Sequence, residues 1–125
     1  MRLQRNNLKN AGIETPPYPN AAHHIVPVGA DNARGSVEIL TDYGIDLNSP
    51  ANGVFLPYKK NEFVTTEAMH CGGHSDSYHR KVRERLFKTE MRKRGAPDSQ
   101  IQKVICDELQ EIRSDLLNGK LKIHN

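Results

Sequence analysis

The segment Ala22-His23-His24-Ile25-Val26-Pro27 limits what this chain can become more than any other. Two histidines run into a β-branched pair and then into a proline. β-Branched residues suit a pleated, half-buried surface, and proline has no N–H to give to a ladder. Residues 21–26 therefore read as a strand that stops at Pro27. Neighbouring side chains on a strand point to opposite faces. Where such a strand leaves its sheet, one imidazole can hold a metal ion while the other faces a substrate. Few structural needs call for two histidines beside a buried edge, so function is sought here first.

The rest of the chain supplies what that strand needs to pack against. Residues 1–14 read as a short helix marked by Leu3, Leu8 and Ile13, with Gly12 as its stop. The proline-rich stretch from Thr15 to Asn20 is extended. Val37, Leu40 and Tyr43 mark a second short helix that ends near Gly44. Ile45 to Gly53 is a loop rich in turn formers, and Val54-Phe55-Leu56-Pro57 is a second short apolar strand. Tyr78, Val82 and Leu86 recur every four residues and predict a helix over 75–94. Gly95-Ala96-Pro97 breaks it. A last helix over 98–118 carries the stripe Ile101, Val104, Ile105, Leu109, Ile112 and Leu116. At 125 residues the chain suits one domain with one modest core: an α+β fold with a core over about 20–94 and a C-terminal helix over about 98–118.

Composition closes off several classes. No apolar run is long enough to span a bilayer, and the N-terminus lacks the apolar region of a signal peptide, so an export signal would lie elsewhere, on a larger parent protein. Two cysteines, Cys71 and Cys106, are too few for a disulfide scaffold. The net charge of +3 permits a polyanionic partner. Eight of the 18 basic residues fall between Arg80 and Arg94, opposed only by Glu84 and Glu90. By itself such a run is as often a solvated helix face as a phosphate-binding surface.

His70-Cys71-Gly72-Gly73-His74 places two more imidazoles four residues apart just before the strong helix. The two glycines weaken a helix there, so the pair reads as the loop that enters it. Two histidines from that loop and one from the strand make a three-ligand site. Three protein ligands leave coordination positions open, as catalysis requires. The remaining histidine of the front pair could then take a proton from water, since an imidazole titrates near pH 6.5. Metal, base and a basic helix (Arg80, Lys81, Arg83) together describe phosphodiester hydrolysis.

In order and spacing, Ala22-His23-His24 with Pro27, Asn48, Asn52 to Pro57, and His70 and His74 with Tyr78 resemble the AHH nucleases of the HNH and endonuclease VII superfamily. Leu8-x-x-Ala11-Gly12-Ile13 resembles that family's lead-in. The resemblance covers roughly residues 3–90. It implies a ββα-metal fold, with the two strands as a hairpin and the 75–94 helix packed behind it. It makes His23 and His74 metal ligands, with His70 a third ligand or a phosphate contact, makes His24 the general base, and makes Asn52 a catalytic-site residue that braces the loop between the strands and helps hold the base. It also implies one divalent ion (zinc, nickel or magnesium) and a nucleic-acid substrate, DNA before RNA, leaving 5′-phosphate and 3′-hydroxyl ends. The family is known mainly as the toxin module of larger secreted bacterial toxins, which act in the target cell's cytoplasm and are paired with an immunity protein.

Blander readings compete at several positions. His79 reads as a solvated helix residue, Tyr78 as core, and Asn48 and Asn52 as turn residues apart from the resemblance. Cys106 reads as a small buried hydrophobe and His124 as part of a frayed tail. The rival to catalysis is a zinc-stabilised nucleic-acid-binding module, which would need a closed four-ligand site.

Overall fold

A computed structural model describes residues 2–18, 20–57 and 75–123. His70, His74, Cys71 and His124 lie outside the described residues. The elements run α1 (Arg2–Asn10), β1 (Asn20–His24), α2 (Arg34–Asp42), β2 (Gly53–Pro57), α3 (Asp76–Arg92) and α4 (Asp98–Leu117). The fold is α+β, and among the described residues the sheet is one antiparallel hairpin of β1 and β2. The expected architecture is present: two paired strands, a long helix behind them, and additional helices.

The hairpin separates two apolar clusters because successive residues on a strand alternate faces. On β2, Val54 and Leu56 join the main core with Val82 and Leu86 of α3 and Ile105, Leu109 and Ile112 of α4. Phe55 turns the other way and packs with Ala22 of β1 and Leu8 of α1. Burial on both faces explains why β2 reads as a continuous apolar run rather than an alternating one.

The register pairs Asn20 with Pro57, Ala22 with Phe55, His23 with Val54 and His24 with Gly53. His23 therefore shares the α3 face with Val54, and His24 shares the α1 face with Phe55. Gly53 has a steric reason to be glycine: a Cβ there would come within 2.5 Å of the Gln4 side chain of α1. The glycine is what lets α1 lie close over this end of the hairpin.

Three boundaries differ from expectation. β1 ends at His24 rather than Val26. Val26 has no neighbour in the ladder because the Asn52 side chain takes that place, accepting from the Val26 N–H at 2.9 Å and donating to its carbonyl at 3.0 Å. α1 stops at Asn10, three residues short of Ile13, whose N–H returns to the Leu8 carbonyl. α2 starts at Arg34, a turn before its first apolar marker, because a single 3-10 turn at Asp31–Ala33 leads straight into it.

Candidate functional site

Backbone alternation sends the two histidines into different surroundings. His23 is fully buried, and its Nε2 lies 3.2 Å from the Tyr78 hydroxyl oxygen. Tyr78 stands in the first turn of α3, capped by the Ser75 hydroxyl, which accepts from the Tyr78 N–H. The Tyr78 O–H donates to the Ile25 carbonyl at 2.6 Å. A carbonyl can only accept, so that hydroxyl proton is committed. The Tyr78 oxygen must then accept from His23, which fixes His23 as the Nε2–H tautomer with its lone pair on Nδ1. Burial holds the phenol proton in place by pushing the Tyr78 pKa far up. Metal-ligating histidines characteristically donate their other ring N–H to such a partner. The chemistry at His23, a buried imidazole held through one ring nitrogen, thus fits a metal ligand.

His24 is 7 % exposed, and its Nε2–H donates to the Asn48 side-chain oxygen at 2.9 Å. The acceptor nitrogen is again Nδ1. An imidazole oriented in this way can take a proton at a defined atom.

The loop that carries Asn48 is held from several directions. Asn52 is fully buried and ties the loop to itself and to the end of β1: besides Val26 it donates to the Leu47 carbonyl at 2.9 Å, and its own carbonyl accepts from the Ile25 N–H. From α1, Asn7 donates to the Asn48 carbonyl at 2.7 Å and Gln4 to the Ser49 carbonyl at 3.3 Å. From α4, Arg113 donates to the Gly53 carbonyl at 2.9 Å and to the Pro50 carbonyl. Burial pulls the Arg113 pKa down. Its N–H groups are spent on the carbonyl of Gly53, the strand partner of His24, and on that of Pro50 in the turn before β2.

The entrance to α3 is fixed too. The Ser75 N–H donates to the Ile123 carbonyl, and Asn32, in the turn before α2, donates to Asp76. In sequence, His74 stands one residue before this cap and His70 four residues earlier. No group of three potential metal ligands occurs among the described residues, which hold only His23 of the three expected.

The other expected site residues can be placed. Arg80, Lys81 and Arg83 are exposed on α3. Arg83 runs along Gly35 of α2 and lines a groove with Glu38, Asp42, Glu84 and Glu90. His79 is a correction: it is buried rather than solvated, edge-on to the Tyr78 ring. Burial lowers its pKa, and Asp76 partly opposes the shift. The helical period explains the reversal, since His79 adjoins Tyr78 and stands three residues before Val82 on the buried side. Cys106 packs against the main core, and burial raises its thiol pKa.

Sequence reasoning missed the contacts of Asn48, Tyr78 and Arg113. The resemblance picked out Asn52 to brace the loop and help hold the base, but the residue that meets His24 is Asn48, and the turn chemistry the two share does not tell them apart. Arg113 left a faint signal, since it follows Leu109 by four and precedes Leu116 by three, on the flank of the buried stripe.

A protein-family model matches residues 5–116: the AHH family, a nuclease family of the HNH/endonuclease VII superfamily with a conserved AHH. The chain belongs to this family, and Ala22-His23-His24 supplies its signature. The match runs through most of α4, which agrees with the hold of Arg113 on the site loop. No curated protein and no solved structure matched the chain.

Proposed function

We propose that this nuclease hydrolyses DNA phosphodiesters with the help of one divalent ion, as the toxin module of a larger secreted protein. The observation that carries the catalytic reading is the pair of adjacent imidazoles on opposite faces of β1. Each is oriented through Nε2, His23 by the Tyr78 hydroxyl and His24 by the Asn48 side-chain oxygen. In this reading His24 Nδ1 takes the proton from the attacking water. Asn48 holds that imidazole in its tautomer, and Asn52 keeps the loop in place. His23, His70 and His74 would hold the ion, which would supply charge neutralisation at the phosphate and the departing oxygen. Three imidazoles suit zinc or nickel better than magnesium, which prefers oxygen. Arg80, Lys81 and Arg83 would contribute to holding the backbone. The toxin role, action in the target cell's cytoplasm and a cognate immunity protein rest on the family resemblance.

The direct test is plasmid DNA incubated with purified protein, with and without chelator, followed by re-addition of zinc, nickel or magnesium. Cleavage that disappears on chelation and returns with one ion is the expected result. Chelator-resistant cleavage would remove the ion from the mechanism.

A further inference from the structure

The formal net charge of the whole chain is +3. α1 alone carries Arg2, Arg5 and Lys9 and no acid, so the other residues balance to zero. At 3.6 residues per turn, positions 2, 5 and 9 fall within an arc of roughly 60°. Gln4 and Leu8 take the buried side of the helix, and the basic positions lie on its flank. Arg5 is half-buried there: its guanidinium sits 5.1 Å from the Phe55 ring centroid and spends one N–H on the Asn20 carbonyl. Lys9 is exposed. α3 also carries a net +3, six basic residues against three acids, but it mixes them. Arg85 is paired with Glu108 and Asp115, and Arg83 lies among four carboxylates.

We infer that the basic flank of α1 is the principal grip on the backbone of duplex DNA, with Arg80 and Lys81 of α3 secondary. The inference rests on the nuclease reading for its substrate. α1 covers the hairpin face that carries His24, so a duplex reaching His24 passes this helix. Duplex DNA is the partner chosen because a rigid helix presents a fixed row of cations, which matches a regular phosphate array. Arg5 meets β1 at Asn20, the opposite end from His24. That separation is about 13 Å at ~3.3 Å per residue, or some four nucleotides at ~3.4 Å each. The flank would therefore hold phosphates away from the reacting one.

The experiment measures binding of a fluorescein-labelled DNA duplex by anisotropy at several salt concentrations, in a His24→Ala background. Counterion release sets the log–log slope, at about 0.9 per phosphate contact on duplex DNA. The pair Arg5→Gln and Lys9→Gln is expected to lower the slope by up to about 1.8, and Arg80→Gln with Lys81→Gln by less. Lys9→Gln alone changes an exposed side chain, folds normally, and is expected to lower it by about 0.9. An unchanged slope in Lys9→Gln would overturn the inference, as would a larger effect from the α3 pair. Tighter binding of a single-stranded RNA of the same length would overturn the choice of duplex DNA. Failure of the nuclease reading looks different: intact wild-type protein would leave plasmid uncut with every ion while the α1 slope persisted, which supports this surface.

Discussion

His23 and His24 are bonded neighbours that share a tautomer and almost nothing else. The partner of His23 is a phenol on a long helix, in the main core, at full burial. The partner of His24 is an amide on a short loop, which is held by side chains from α1 and α4 and by Asn52. On the proposed roles, one strand would serve two kinds of chemistry because each face has its own support. A ligand gains from a rigid, dry setting that fixes its tautomer. A base needs an oriented ring whose acceptor reaches the substrate.

The largest expected effects would break this comparison outright. His24→Ala should lower cleavage on the order of 10² to 10⁴-fold, the usual worth of a general base, with ion affinity close to wild type. His23→Ala should lose ion affinity as well as cleavage, and should melt earlier because a fully buried side chain is removed. Plasmid cleavage, calorimetric titration of zinc or nickel, and thermal melts read the three quantities. Ion affinity lost in His24→Ala and kept in His23→Ala would exchange the two roles.

Smaller effects test the supports rather than the histidines. Tyr78→Phe removes the oxygen that accepts from His23 and should weaken ion binding about 10 to 100-fold, the range for such partners. Asn48→Asp keeps the acceptor but adds a charge. A carboxylate beside the imidazole favours its protonated form, so the acid limb of the cleavage profile should move to higher pH. Ion affinity should be untouched. A profile that stays put in Asn48→Asp would mean that Asn48 does not orient the base.

How much of this was legible in the sequence depended on the range of the interaction. Helices, strands and the paired histidines follow from local spacing, and Asn52 stood out once the blocks were read in order. The Tyr78–His23 bond spans 55 residues and the Arg113–Gly53 bond 60. No local pattern encodes such contacts, because the folded core decides which helix face meets which strand. His79 was misjudged for the same reason: polarity argued for solvent, while its place on α3 put it in the interior. The end of β1 was missed because an Asn52 side chain, not a turn residue, finishes the ladder.

The smallest expected effect asks whether the two faces respond differently to acid. His79 lies on α3 beside Tyr78, 5.5 Å between ring centroids, and burial lowers its pKa below the usual value near 6.5. In the unfolded chain the imidazole titrates at its ordinary value. The contribution of neutral His79 is therefore complete above about pH 6.5, where both states are neutral. It is lost as pH falls through the lower folded value, because the unfolded state takes up its proton first. Melting temperatures of wild type and His79→Gln measured from pH 7.5 downward should therefore converge on the acid side, since the variant carries no titrating group at this position. Parallel curves at all pH values would show that His79 titrates alike in both states. Convergence would mark the α3 face, which supports His23, as the one that loosens in acid.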